Sequence, residues 1–230
     1  MTKKEALALF LEGLRNRGIT PANVTKKDVE ELHVHVSYNN GKVKDPCVDM
    51  IAGLTCDPGL PCYKDCYAKH GRMAMPHNKN LRYGNLLLWK GNPKRYEQEV
   101  TIPLKLAKHA RWNADGDMPD RDYLQMVRRV GKKAKGCRMW FMTKKYKMLN
   151  QEIAENGMFP KNVHPMLSAW GDFIPENPYN LPVFYVRLKS GKGADKIPKG
   201  TYECPGNCDI CKTIKRGCPY GESVVIDQHR

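Results

Sequence analysis

Seven of the nine cysteines in this chain fall into two short clusters, Cys56, Cys62 and Cys66 in one and Cys204, Cys208, Cys211 and Cys218 in the other. The opening MTKKEALALFLEGLRNRG has an apolar stretch, but Glu12 and Arg15 interrupt it and no small-residue cleavage site follows, so it does not read as a secretory signal. A cytoplasmic location is therefore expected, and there thiols stay reduced. An odd number of cysteines cannot pair fully in any case. Ligation of metal ions or clusters is thus the first constraint on the fold.

The first knot reads TCDPGLPCYKDCYAKH, with spacing C-x5-C-x3-C. Pro58, Gly59 and Pro61 favour turns that let three thiolates converge on one centre. Three cysteines leave one coordination position open, which suits a [4Fe-4S] cubane whose fourth iron takes a small ligand. Zinc would need His70, Cys47 or a tail residue to close its four-ligand shell. The second knot reads ECPGNCDICKTIKRGC, with spacing C-x3-C-x2-C-x6-C and Gly206 and Gly217 at the bends. Four thiolates make a closed shell, which points to a structural zinc or an auxiliary cluster. Cys47 and Cys137 stand apart, Cys137 as a buried thiol at the entrance to an apolar strand and Cys47 as a reserve ligand.

Hydrophobic patterning predicts a helix over Lys4 to Asn16, a short helix from Lys26 to Glu31 capped by Thr25, an alternating strand from His33 to Tyr38, and a turn at Asn39, Asn40 and Gly41. From Tyr67 onward helices and strands alternate. Helical stretches are expected from Asn80 to Trp89 and from Tyr96 to Lys108, broken by Gly91, Pro93 and Pro103. Strands follow at Ala110–Asn113, Arg138–Thr143, His164–Trp170 and Val183–Leu188, with helices at Arg121–Lys133 and Tyr146–Asn156. Four or five βα units of this kind call for parallel strands in an α/β fold with a partial (β/α) barrel, since eight units do not fit. Three regions are expected: an N-terminal helical and strand appendage over 1–45, the barrel core with the first cysteine loop over 46–190, and a basic linker with the cysteine-rich tail over 191–230. No run of about 18 apolar residues is present to span a bilayer.

The order of SYNNGKVKDP, the TC-PG-PC-DCYAKH loop, the Asn80 to Gly84 segment, RWNADGD, the FMTK strand and a C-x3-C-x2-C tail resembles the phage family called gene product eighty-eight. The CYA signature is also similar to phage proteins regarded as radical-SAM-like. The resemblance implies a partial (β/α) barrel with a [4Fe-4S] cluster, SAM as a candidate cofactor, and the host cytoplasm as its location. The spacing of the first knot departs from the C-x3-C-x2-C of radical-SAM enzymes.

RWNADGD places Arg111, Asn113, Asp115 and Asp117 where a strand ends and a loop begins, the edge at which β/α folds gather functional side chains. Asp117, two residues before Pro119, equally suits a backbone-capping turn. Lys144, with Thr143, ends the MWFMTK strand; Ser168, Trp170 and Asp172 end the next, and Arg187 the last. The sequence has no Walker, Rossmann, serine-hydrolase or H-E-x-x-H pattern, so those chemistries have no support. Lys and Arg number 39 against 24 Asp and Glu, a net charge of +15 that favours polyanionic partners. Basic clusters at Arg128, Arg129, Lys132, Lys133 and Lys135, at Lys144, Lys145 and Lys147, and at Lys212, Lys215 and Arg216 lie near Tyr123, Trp140, Phe141 and Tyr146, aromatics able to stack on unpaired bases. Two functions fit: an iron–sulfur enzyme modifying a nucleotide or nucleic acid, or a metal-stabilised nucleic-acid-binding module without catalysis.

Overall fold

A computed structural model describes residues 11–38 and 43–228. The expected turn at Asn39 to Gly41, the first part of the opening helix and His229 lie outside the described residues. The chain forms a mixed α/β fold around one eight-stranded sheet. Its strands are β1 (Val36–Ser37), β2 (Cys47–Val48), β3 (His109–Trp112), β4 (Arg138–Thr143), β5 (Val163–Trp170), β6 (Val183–Arg187), β7 (Tyr202–Glu203) and β8 (Val224–Asp227). The order is β1-β2-β3-β4-β5-β6-β8-β7, so the sheet is open with β1 and β7 at its edges. Only β1 pairs antiparallel; every other neighbouring pair is parallel. From β2 to β6 each strand lies beside its predecessor in the chain, the order that crossovers of one hand produce when they stay on one face.

Helices occupy the crossovers. Residues 11–16 form α1; α2 (Gly71–Ala74), α3 (Pro76–Gly91) and α4 (Pro93–Leu106) separate β2 from β3, α5 (Arg121–Lys133) joins β3 to β4, α6 (Tyr146–Asn156) joins β4 to β5, and α7 (Cys208–Ile214) precedes β8. Local chemistry sets their limits. Pro93 opens α4 with the Asn92 side chain accepting from the Arg95 amide, and Asp120 caps α5 by accepting from the Tyr123 amide at 2.9 Å. Pro103 does not break α4, because it falls in the last turn, where little of the helix remains to be disrupted. The expected helix at Lys26 to Glu31 is a 3-10 turn over Lys27–Val29, held by Thr25 Oγ1 donating to Asp28 Oδ2.

The strands alternate, and their two faces do different things. Ala110, Trp112, Met139, Phe141, Leu167, Ala169, Tyr185 and Val225 point into the main core with α3 to α6. At its centre Trp89 packs edge to face on Tyr96 and Tyr123, and Trp112 on Tyr123, with Tyr96 tilted against Tyr123, ring centroids 5.1 to 5.9 Å apart. Leu11, Leu14, Val29 and Leu32 from the N-terminal segment are fully buried in the same core. The opposite face carries Arg111, Trp140, Met142, Ser168, Trp170, Phe184, Val186 and Ile226, and it borders a cavity. Among the described residues no helix is long and apolar enough to cross a membrane.

The basic clusters are paired in part: Lys132, Lys135, Lys147 and Lys215 are exposed, while other members meet acids or carbonyls. Arg128 is buried, donating to Glu152 and to the carbonyls of Gly157 and Met158 at the end of α6. Arg129 and Lys133 pair with Glu97, Lys212 with Asp45 and Asp209, and Arg216 with Glu222. Tyr123, Trp140 and Phe141 are completely buried, so burial removes them from the aromatics available to bases on the outer surface. Tyr146 leans its ring on Phe173.

Candidate functional site

The RWNADGD loop leaves the carboxyl end of β3 and folds back under the chain that follows β2. Gly116, at φ 71°, makes this approach: a Cβ there would stand 2.5 Å from the Met50 carbonyl oxygen. Asp49, 2% exposed, accepts from the Ala114 amide at 2.8 Å and the Asp115 amide at 3.2 Å. Asp115 takes a 3.0 Å ion pair from Arg82 of α3, whose Nε lies 3.8 Å from Asp49. Two carboxylates thus share one buried guanidinium. Burial pushes the Asp115 carboxyl up to about 6, with Arg82 opposing and Asp49 assisting the rise.

Asp117 is a joint between three segments. Its Oδ1 accepts from Thr143 Oγ1 at 2.6 Å and from the Met118 amide at 2.7 Å, and its Oδ2 from the Lys144 amide at 3.1 Å. Its own amide donates to Thr55 Oγ1, the residue just before Cys56. Burial pushes the Asp117 carboxyl up while these hydrogen bonds oppose the rise, and together they tie the cysteine loop to the end of β4. Asp115 and Asp117 are therefore employed within the protein. Asn113, at φ 53° and 4% exposure, differs: both its Oδ1 and its Nδ2 are buried without a hydrogen-bond partner among the described residues. Leaving such groups unpaired costs about 1–3 kcal/mol each.

Lys144 places Nζ 2.9 Å from Ser168 Oγ and 5.8 Å from the centre of the Trp170 ring. Arg111 lies next to Cys47 across the β2–β3 pair; one terminal nitrogen meets the Met142 sulfur at 3.5 Å and its Nε has no partner. Asp172 and Arg187 belong elsewhere, in pairs with Lys192 and with Glu203 and Asp227.

Both cysteine knots border the same cavity, of about 490 Å³, through Cys56 and Cys66 on one side and Cys204, Cys208 and Cys218 on the other. Arg111, Asn113, Asp115, Asp117, Lys144, Ser168 and Trp170 also line it. The first knot follows the carboxyl end of β2. The tail crosses the open face of the sheet, where Cys208 and Cys218 pack against Val43, Cys47, Ala114 and Trp140. Cys47 thus sits with the tail cysteines, and Cys137 is fully buried in the main core.

Burial raises the Cys56 thiol to about 11, with Asp117, Cys66 and Cys62 adding to the rise, and it raises Cys62, Cys208, Cys211 and Cys218 as well. Within each knot the thiols are close enough for each charge to oppose the next. Burial disfavours the charge of Arg111, while Tyr67, Cys47, Cys208 and Cys218 would stabilise it if ionised. The donor set suits a thiophilic metal, which supplies the positive charge that would let these thiols ionise, and the orphaned Arg111 Nε suits neighbours that become thiolates. Among the described residues no group of three or more His, Cys, Asp or Glu is arranged as a ready metal cage.

Residues 10–180, about three quarters of the sequence, match the family model described as Gene product 88, and the chain belongs to that family. The match takes in the first knot, the RWNADGD loop, Lys144, Ser168 and Trp170, and it stops before β6 and the tail knot. No curated protein and no solved structure shows significant similarity to the chain.

Sequence reasoning missed Asp49, Arg82 and Asn85. Asn85 is fully buried and donates from Nδ2 to the carbonyls of Asp49 and His35. The signal available was Arg82 and Asn85, three apart, within the stretch from Leu81 to Trp89 whose other members are apolar or glycine. Asp49 directly follows a strand only two residues long, too short to read from periodicity.

Proposed function

We propose that this gene product 88 protein is an iron–sulfur protein of radical-SAM-like, partial (β/α)-barrel architecture that acts on a nucleotide or nucleic acid. In this reading Cys56, Cys62 and Cys66 hold a [4Fe-4S] cluster, and Cys204, Cys208, Cys211 and Cys218 hold a zinc or a second cluster. The observation that carries it is the convergence of both cysteine knots and the strand-end polar residues on one cavity. The sequential order of β2 to β6 supports the barrel-type winding.

When bound, a cubane held by three cysteines supplies electrons beside an open iron position. The chain's own residues do the rest. Lys144 favours ionisation of Cys62, and Asp117 fixes the backbone of Lys144 while its amide holds Thr55, so cation and cysteine loop keep one spacing. Arg111 offers its charge to the tail thiolates. Trp140, Met142, Trp170 and Phe184 give the cavity apolar walls that keep bulk water from a bound ligand.

Anaerobic purification with iron, sulfide and zinc counted per chain tests this reading. About four irons and four sulfides, lost together on Cys62→Ser, are expected. A change in the spectrum of the reduced cluster on adding SAM is the expected sign of cofactor binding. Zinc alone, at about one or two per chain, overturns the iron–sulfur assignment.

A further inference from the structure

The amino-terminal end of the sheet, opposite the strand ends that border the cavity, carries charge that the chain itself does not use. The segments leading into β3, β4 and β5 hold Lys105 and Lys108, Lys132 and Lys135, and Lys161, and all five residues are exposed. Parallel pairing sets these segments side by side. The Lys108 carbonyl accepts from the Arg138 amide at 2.9 Å, and the Asn162 carbonyl accepts from the Met139 amide at 2.7 Å. Asn162 also donates from Nδ2 to the carbonyls of Gly131, Ala134 and Cys137. Gly131 lets the end of α5 close on the start of β5, since a Cβ there would stand 2.5 Å from Val163 Cγ2. The lysines therefore sit on a stitched frame, with two strand spacings, about 10 Å, between the first segment and the third.

Two acids border this face and both are taken, Glu97 by Arg129 and Lys133, and Asp45 by Lys212. Among the described residues none of the five lysines enters an ion pair. Arg138, half-buried beside them, has an imidazole and a ring as neighbours: one terminal nitrogen is 3.1 Å from His164 Nε2, and the guanidinium is 4.4 Å from the centre of the Tyr220 ring. Helix dipoles account for part of the pattern. Lys105 and Lys132 lie in the last turns of α4 and α5, where a cation offsets partial negative charge. Lys108, Lys135 and Lys161 lie beyond the helix ends, and the dipoles leave them unexplained.

A fixed row of uncompensated cations fits a polyanion whose charges repeat at short, regular intervals. A DNA duplex presents one about every 1.7 Å along its axis. The segments 105–108, 132–136 and 161–162 contain no aromatic residue to stack on an unpaired base, which favours duplex over single strand. We propose that this end of the sheet binds the phosphate backbone of duplex DNA through Lys108, Lys135 and Lys161, with Lys105 and Lys132 beside them. Such contacts position a duplex without reading its sequence. The proposal goes beyond the functional reading above and needs no metal at either knot. Because β5 is eight residues long, about 25 Å of sheet separates this face from the opposite strand ends.

The test is fluorescence anisotropy of a labelled DNA duplex of about 20 base pairs, titrated with full-length protein over a salt series, with metal counted in the same batch. Binding is expected, with log K falling against log salt at a slope of roughly −3 to −5. Lys108→Glu combined with Lys135→Glu is expected to weaken binding roughly ten- to hundredfold at about 0.1 M salt, and to make the slope shallower by about 2. Lys147→Glu combined with Lys189→Glu changes the net charge equally, from exposed positions beyond the opposite ends of β4 and β6, and is expected to weaken binding less than about threefold because salt screens distant charges. No duplex binding, equal weakening by the two double variants, or tighter binding of a single strand of the same length overturns the proposal. Duplex binding by a chain without iron overturns the iron–sulfur assignment and leaves this face in place; iron–sulfur content with no duplex binding does the reverse.

Discussion

The two cysteine knots are built differently, and the contrast separates a site from a clamp. The first knot is loop and 3-10 turn throughout, with Asp57, Pro58 and Gly59 exposed, and it is tied to the sheet by the Asp117 amide donating to Thr55 Oγ1 and by Tyr67 Oη donating to the Ala114 carbonyl. The tail knot has a helix capped by Asn207, a Lys212 side chain pinned between Asp45 and Asp209, and Glu222 accepting from the Gly217 amide and pairing with Arg216. It also lies across the sheet, reaching Tyr220 against Arg138 at the start of β4. Ion pairs and a capped helix define the tail, whereas the first knot is held by turn hydrogen bonds and by Thr55 and Tyr67 against the loop after β3. Metal at the tail is expected to stabilise the fold, and metal at the first knot to serve the cavity.

The hardest way to break this arrangement is to separate the first knot from the sheet. In Gly116→Ala the added carbon would stand 2.5 Å from the Met50 carbonyl oxygen, at a φ of 71° that alanine resists. The loops must part or the backbone must shift, and a loss of roughly 2–4 kcal/mol is expected in chemical denaturation. Unchanged stability would show that the 49–55 segment is not docked on this loop.

The second test compares serine substitutions across the knots. Cys211→Ser is expected to lower stability by about 2–3 kcal/mol, or roughly 5–10 °C in Tm for a chain of this size, because a closed structural site adds its binding energy to folding. Cys62→Ser is expected to remove the metal of the first knot with a smaller shift in Tm. Metal content and melting on the same samples decide it; a larger drop for Cys62→Ser would reverse the assignment of site and clamp.

Much of this contrast was legible beforehand, and the reasons are local. The bounds of α5, β4 and α6 agree with the sequence reading, since Asp120 caps one helix, Gly157 ends another, and the strand is an apolar run between charged residues. Parallel strands bring the ends of β3, β4 and β5 to one cavity through Arg111, Lys144, Ser168 and Trp170, while Asp172 and Arg187 pair elsewhere. What could not be read were contacts between distant segments. The inward face of α3 places Arg82 on Asp115 and Asn85 on Asp49, and no spacing within α3 announces an acid elsewhere in the chain. Nor could the sequence say which basic residues are paired: Arg129, Arg128 and Arg216 meet Glu97, Glu152 and Glu222 across element boundaries, or across a turn in the last case. Cys47, expected near Cys56 by proximity in sequence, joins Cys208 and Cys218 because a strand, β2, carries it to the other face.

A subtler test addresses the carboxylates beneath the first knot. Asp115 is lifted to about 6 by burial, above its unfolded value of about 4. The folded state therefore binds this proton more tightly, so the group's contribution to stability is greatest below about pH 4 and declines as pH rises to about 6. Asp115→Asn is expected to remove that decline, so its stability relative to the natural chain improves by up to about 2 kcal/mol between pH 4.5 and pH 7. Urea titrations at the two pH values check this; parallel shifts in both proteins would mean that Arg82 neutralises Asp115 throughout.

The smallest effect is expected at Cys137, and it controls for all the others. Its thiol is fully buried in the main core, raised to about 12 by burial and Asp45, and it lies outside both knots. Cys137→Ala removes one sulfur from a packed site and is expected to cost about 1 kcal/mol or less, with iron, sulfide and zinc counts unchanged. Loss of metal in this variant would show that the two knots do not supply all the ligands. The tail would then be less a self-contained clamp than one half of a centre completed from the core.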